Sequence, residues 1–282
     1  MIIDFKNLRP PADYPVYPPY HTGNYLEEHF YSFYKEHKNE FDKTGYTLIP
    51  IFWTNVYITN KNVNLIQPYL DSLPLGKYFT ISQHDDAVKE QLPIGTLSFE
   101  AGGNGNGMPI PLICSPIDEQ KTQLVQKDIF CSFVGSITHS IRTEIYNRYS
   151  NDSSFLILGK NWTSTVSEDS FNTFIDITKR SKFSLCPRGY GAQSFRLYEV
   201  LQLNSVPVVI YDKEWFPFND VIDWNSFCIT LHVDNIDKLK TILESITEQQ
   251  YDQMLQNGKN IYSKYFTMNG MSTRILQILQ SQ

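Results

Sequence analysis

The chain is poor in cysteine. Its four, Cys114, Cys131, Cys186 and Cys228, form no Cys-x-x-Cys pair and stand among apolar, strand-like neighbours. That pattern argues against a zinc site or a disulfide-stapled scaffold and reads as buried free thiols in a reducing compartment. No run of about 20 apolar residues occurs, so no helix is expected to span a membrane, and MIIDFKNLRP is not a signal peptide. Basic charge is short as well: 24 Lys and Arg face 30 Asp and Glu, a net charge of −6. A nucleic-acid surface needs a basic stripe and a polybasic membrane anchor needs a basic cluster, so neither is expected. Repeats, coiled coils and low-complexity tracts are absent too.

What is present suits a packed enzyme-sized molecule. Hydrophobic residues make up 41% of 282 and charged residues 19%, enough for one large or two modest domains and too apolar for wholesale disorder. Tyrosine and phenylalanine, 18 of each, are abundant. Such rings fill cores, and they also stack on the apolar faces of sugars.

One stretch organises the rest: FSLCPRGYGAQSFRLYEVLQLNSVPVV, residues 183–209. Phe183–Cys186 reads as a buried strand. Pro187-Arg188-Gly189-Tyr190-Gly191 reads as a turn in which glycine lets the backbone lie close to something. Ser194 is placed to cap a helix over 194–203 with Phe195, Leu197, Tyr198, Val200 and Leu201 on its buried side, and Val206–Ile210 is the next strand. In open α/β sheets, ligands sit at the carboxyl ends of strands, and helix N-termini favour anions. Arg188 and Arg196 add forked cations there, and Glu199 can accept hydrogen bonds from a ribose diol. Arg188, Gly189, Tyr190, Ser194, Arg196 and Glu199 together read as a cradle for a nucleoside diphosphate. The same residues also read as a surface Arg196–Glu199 pair beside an ordinary turn, and the pattern leaves both open.

CPRGYGAQSFRLYEVLQLNSVPVVIYD followed by FPFNDVIDWNSFCI resembles the exostosin-type glycosyltransferases (family 47). The shared positions are Cys186, Pro187, Arg188, Gly189, Ser194, Arg196, Glu199, Leu201, Pro207, Val208, Pro217, Phe218, Asp223 and Trp224. Leu203-Asn204-Ser205 stands where many members have a Gly-Cys turn, and Tyr198 and Val200 also depart from the commoner choices. The resemblance covers about the last half of the chain. It implies an α/β protein of the GT-B class, two Rossmann-like α/β domains facing a central cleft. It also implies inverting transfer of a sugar (xylose, glucuronic acid, N-acetylglucosamine or galactose type) from a UDP-sugar to a glycan or glycoprotein hydroxyl. Without an anchor, the chain would be a soluble, cytoplasmic short form, as a bacterial or viral member would be. Two other readings stand beside it: a catalytically silent nucleotide-sugar or glycan-binding subunit, and a GT-B-like epimerase.

In chain order, the proline- and tyrosine-rich residues 1–24 should run extended. A helix is expected over 25–38 after Asn24, a strand over 46–57 and a short helix over 64–73. Strands follow over 77–82, 96–100 and 109–114. The loop Gln83-His84-Asp85-Asp86 follows the first of these. Residues 101–107, rich in glycine, should be too mobile to cradle a ligand alone. The first domain is placed at 1–120, with a polar connection over 115–127. The second, 121–282, begins with a strand over 128–134 and a further ligand loop, Gly135–Ser140, followed by a helix whose first-turn Arg142 either faces the diphosphate or is a partner of Glu144 or a solvated side chain. Later helices are expected over 168–179, 236–246, 248–264 and 270–280, and by resemblance the last folds back on the first domain. No Asp-x-Asp motif occurs, so catalysis without a metal or other cofactor is expected, with Arg142, Arg188, Arg196 and helix N-termini stabilising the leaving diphosphate. The proton acceptor should come from the first domain. Asp85, Asp86 and His84 are the leading candidates, His21 and Glu100 further ones, and for each a solvated loop side chain is the plainer alternative.

Overall fold

A computed structural model describes residues 5–11, 25–113, 116–163 and 165–282. The chain divides into two units, one formed mainly by residues 20–113 and 265–282 and the other mainly by 114–264. Residues 116–127, read above as a connection, therefore belong to the second unit. The Ile117 N–H donates to Gln202 Oε1 at 2.8 Å, and Asp118 caps a short 3-10 turn at Glu119–Thr122.

The first unit carries helices α1 (Leu26–Glu36) and α2 (Lys38–Thr44), strand β1 (Tyr46–Leu48), helices α3 (Trp53–Thr59) and α4 (Ile66–Asp71), and strands β2 (Lys77–Ser82), β3 (Leu97–Glu100) and β4 (Met108–Pro109). The sheet is parallel throughout, in the order β1-β2-β3-β4. Helix α1 begins where the Glu28 carboxylate accepts from the Tyr25 N–H at 2.8 Å, and Asn24 lies outside the described residues. The expected strand over 46–57 is corrected: it ends at Leu48, and Trp53–Thr59 is helical. Pro50 cannot donate to a ladder, and the apolar residues beyond it bury Trp53 and Val56 on one helix face. The strand expected over 109–114 is likewise short, confined to Met108–Pro109. Phe41 stacks on Phe79 with ring centroids 5.8 Å apart, and Phe30 and Phe99 meet Phe79 edge-on, so an aromatic layer fills one side.

The second unit contains β5 (Ile129–Ser136), α5 (Ser140–Tyr149), β6 (Phe155–Lys160), α6 (Glu168–Arg180), β7 (Ser181–Pro187), α7 (Phe195–Gln202), β8 (Val206–Tyr211), β9 (Ile229–His232), α8 (Leu239–Ser245) and α9 (Glu248–Tyr265). Its five strands are all parallel, in the order β6-β5-β7-β8-β9. Alternation along β5 sends Cys131 and Phe133 into a core shared with Ile141 and Ile145 of α5, while Val134 packs with Phe174 and Ile175 of α6. Helices thus cover both faces, as a parallel sheet requires. The chain runs from β5 outward to β6, then crosses back to β7 on the other side of β5. The loops after β5 and β7 therefore diverge at a topological switch point, where ligands bind in sheets of this kind.

Helix α10 (Met268–Gln280) closes the first unit. Thr267 caps it by accepting from the Gly270 N–H at 3.0 Å, and Met271, Ile275, Leu276 and Leu279 are buried as it meets α1 and α2.

Candidate functional site

Strand β7 ends at Pro187, and the turn after it delivers Ser194 as the cap of α7, accepting from the Arg196 N–H at 3.3 Å. The β5 loop lies beside this turn, since β5 and β7 are neighbours. Arg142, on the first turn of α5, stitches the two loops. Its Nη1 donates to Ser136 O at 2.9 Å, its Nε to Arg188 O at 2.8 Å, and its Nη2 to Pro187 O at 3.2 Å and Ser194 Oγ at 3.3 Å. Gly189 permits this, because a Cβ there would lie 3.3 Å from Arg142 Nη2. None of the sequence readings of Arg142 foresaw the role. Glu144 pairs instead with Arg148 at 2.7 Å, and the Arg142 guanidinium holds backbone carbonyls on both loops.

Arg188 is turned inward, its side chain 12% exposed, and Nη1 meets Asp212 Oδ1 at 2.7 Å just past β8. Its Nη2 donates to Tyr190 O at 2.8 Å, and the Tyr190 ring projects from the loop, exposed. Burial pushes the Asp212 carboxyl up, yet the hydrogen bond and charge of Arg188, with His139, outweigh it and hold the group below the usual carboxylate range. His139 caps α5 by accepting from the Ile141 N–H on Nδ1 at 3.3 Å, which leaves its proton on Nε2, 3.9 Å from Asp212 Oδ2. Burial and the Arg188 charge lower its pKa, so it is neutral at pH 7.

Arg196 meets Glu199 at 3.1 Å, but the pair is no solvated surface bridge: the two side chains are 20% and 16% exposed, and the guanidinium lies over the Phe174 ring at 3.7 Å. At the end of β5, a Cβ on Gly135 would press on the Phe133 ring at 3.0 Å and lie in ordinary contact with Arg196 Nη2 at 3.6 Å. Lys160 ends the adjacent β6 opposite Ser136. His139 lies in the ligand loop expected over Gly135–Ser140, whereas sequence reading missed Asp212, Phe174 and Lys160 as members of this cluster, because each comes from a different element and only the sheet order brings them together. Asp212 alone carried a signal, as the first polar residue after an apolar strand.

In the first unit, the loop after β2 is braced from several sides. His84 meets the Tyr57 ring edge-on with centroids 5.0 Å apart, and its Nδ1 accepts from the Asp86 N–H at 3.2 Å. Burial and Lys89 lower its pKa, so a neutral His84 presents an N–H at Nε2 rather than a free lone pair. Asp86 contacts Lys89 at 3.3 Å and Asn104 Nδ2 at 3.3 Å, and Asp85 O accepts from the Asn104 N–H at 3.0 Å. The mobile glycine loop expected over 101–107 is corrected. Gly102 presses on the Asp85 backbone, and Gly105 and Gly107 wrap the buried Glu100 carboxylate, which accepts from the Gly107 N–H at 3.0 Å and from Ser98 Oγ at 2.8 Å. These glycines serve close approach rather than freedom. His21 lies outside the described residues, as does Cys114.

Cys131, Cys186 and Cys228 are buried free thiols. Burial pushes the Cys186 thiol up to about 12. Among the described residues no three His, Cys, Asp or Glu side chains are grouped to hold a metal ion, and no helix is long and apolar enough to cross a membrane.

The second unit is thus a doubly wound parallel α/β unit with a cationic, polar cluster at its switch point. The chain belongs to the exostosin family: the model described as Exostosin GT47 domain matches residues 96–246, more than half of the 282 residues. Among curated relatives, it is 30% identical to a probable glycosyltransferase of Arabidopsis thaliana over 52% of this chain and 27% of the relative. It is 31% identical to an exostosin-1 homolog of Caenorhabditis elegans over 37% of this chain and 28% of the relative. It is 30% identical to a probable glucuronosyltransferase of Oryza sativa subsp. japonica over 40% and 25%. The matched part therefore spans little more than a quarter of these relatives' length. Among solved structures, a pneumococcal O-GlcNAc transferase in complex with UDP and GlcNAc aligns with a TM-score of 0.40 and 11% identity, covering 79% of this chain and 47% of that one. A glycosyltransferase from Rickettsia africae aligns at 0.39 and 13%, covering 93% and 83%.

Proposed function

We propose that the chain is a GT-B glycosyltransferase that moves a sugar from a UDP-sugar to a glycan hydroxyl with inversion, the second unit holding the donor. One observation carries this reading. Arg142, Arg188 and Arg196 gather at the switch point, with the exposed Lys160 at the end of the adjacent β6, against Asp212 and Glu199, a surplus of two positive charges among these side chains. A departing nucleoside diphosphate brings a comparable negative charge, and fixed cations with oriented amides stabilise it as it forms. Arg142 contributes by locking the two loops in register, so that the Ser194-capped N-terminus of α7 keeps its direction. Glu199, held by Arg196, has a second oxygen for a ribose hydroxyl. The surplus charge does this work without a divalent cation.

The acceptor hydroxyl must lose a proton. Asp85 and Asp86 are the assigned bases of the reading, with His84 orienting through its N–H. The donor sugar is of the glucuronic acid, xylose, N-acetylglucosamine or galactose type, and the acceptor is a glycan or glycoprotein.

The test is a thermal-shift panel of UDP, GDP and UDP-sugars, followed by transfer assays. A ligand at about 100 times its Kd stabilises by roughly 2.7 kcal/mol, a readily visible shift. UDP species should stabilise the protein and Arg196→Ala should remove the shift. Asp85→Asn or Asp86→Asn should abolish transfer while UDP still binds. No response to any uridine nucleotide would sink the reading. Binding without turnover of any donor would make the chain a silent nucleotide-sugar-binding subunit, and release of free sugar without acceptor would make it an epimerase.

A further inference from the structure

A small cavity lies beside the Ser194 cap, between the end of β7 (Cys186), the turn before α7 (Gln193, Ser194) and the loop after β8 (Trp215, Phe216). It has about 20 Å³ of room for water-sized molecules, and roughly 10–15 Å³ is enough for one water. Two hydrogen-bond donors on its lining are unspent. Trp215 is 7% exposed, and its indole N–H is buried without a partner. Buried polar groups left unpaired are rare, because nothing repays their desolvation. A serine hydroxyl has two lone pairs and one proton. Ser194 Oγ accepts from the Arg196 N–H and from Arg142 Nη2, both at 3.3 Å, which uses both lone pairs. Its proton goes to no protein acceptor among the described residues. The loop that carries Trp215 is itself held, since Phe216 packs between Tyr211 and Trp224 with ring centroids 5.1 and 5.0 Å away.

We propose that this cavity is a water-binding site. One water molecule, its oxygen accepting from Trp215 Nε1 and Ser194 Oγ, joins the loop after β8 to the cap of α7. Two neutral donors in so small a space select a ligand with two lone pairs on one atom, and a sugar or a phosphate is too large. Gln193 and Cys186, on the same lining, carry an oxygen and a sulfur that can accept the water's own protons. A bridging water of this kind holds nearly as well as a direct hydrogen bond. It extends the network that Arg142 begins, from the β5 loop through Ser194 to the loop after β8. The site does not depend on the donor reading, because the water holds the cap with or without a nucleotide.

The experiment is nuclear magnetic resonance on the full chain, isotope-labelled at the indole nitrogens of its four tryptophans, Trp53, Trp162, Trp215 and Trp224. The Trp215 resonance is the one lost in Trp215→Phe. Should that variant fail to fold, the other three Trp→Phe variants assign it by elimination. In a rotating-frame measurement, cross-relaxation and proton exchange with water have opposite signs. The Trp215 N–H should show a cross-relaxation peak to water, and the Trp224 N–H, which donates to Pro217 O at 3.2 Å, should show none. A crystal structure should show one water within hydrogen-bond distance of both Trp215 Nε1 and Ser194 Oγ, still in place after UDP is soaked in. A dry cavity would overturn the proposal, as would an indole bonded to a protein acceptor, or an ion or a nucleotide oxygen in the water's position. A Trp215 resonance without the cross-relaxation peak would overturn it too, since a water that leaves so fast joins nothing.

Discussion

Glu27 shows how much a single buried side chain can organise. Its Oε1 accepts from the Thr54 N–H at 3.1 Å, Thr54 Oγ1 at 2.7 Å and the Gln83 N–H at 3.1 Å, joining α1, α3 and the loop that follows β2, while Oε2 is buried without a partner. Burial, the largest influence, raises its pKa against these hydrogen bonds. A raised folded pKa gives stability that is full below the ordinary carboxylate range and is lost as pH rises through the folded value. Glu27→Gln should therefore match the wild type at pH 5 and exceed it at pH 8 in urea unfolding. Glu27→Ala should cost about 2 kcal/mol or more at both, since it orphans two buried N–H groups. The histidines have the opposite sign. His84 and His139 have lowered pKa values, so the stability they contribute is present above about 6.5 and lost as pH falls through their folded values. His139→Asn keeps a cap acceptor without titrating, and its melting temperature should fall less than that of the wild type between pH 7 and 5.

At the scale of elements, the glycine-rich loop gives the sharpest contrast. A Cβ on Gly102 would overlap the Asp85 backbone, whereas Gly45, at φ +74°, has nothing within 4 Å of its Cβ position. Gly45→Ala should cost only the left-handed strain, about 1–2 kcal/mol. Gly102→Ala should cost more and shift the His84–Asp86 loop, seen as a larger drop in melting temperature and, on the proposed reading, slower transfer at unchanged UDP affinity. The same loop shows where sequence reading failed. Four glycines in a row of polar residues look alike whether they provide freedom or permit contact, and only the fold supplies the contacting atoms. The β7-α7-β8 stretch was legible because its signals are local: a glycine turn, the Ser194 cap and a β-branched run. Residues 46–57 were misread because an apolar run of that length suits a strand and a buried helix equally well. The roles of Arg142 and Arg188 were hidden for a different reason, since their partners lie up to 52 residues away in sequence.

Across the whole molecule, the first unit is discontinuous in sequence. Helix α10 buries Met271, Ile275, Leu276 and Leu279, each worth about 1.5–3 kcal/mol, a sum comparable to the net stability of an ordinary domain. Deleting residues 267–282 should leave the second unit folded and unfold the first. Amide hydrogen exchange would then show lost protection in β1–β3 and retained protection in β5, β7 and β8, while equal protection everywhere would refute it. The order of synthesis gives this arrangement a further meaning. A ribosome delivers all of β5–β9 before α10 emerges. The unit that is made first must wait, with the faces of α1 and α2 that α10 meets uncovered, until the strands of the second unit have been made. Such a nascent chain exposes that surface for longest just when it is most in need of a chaperone.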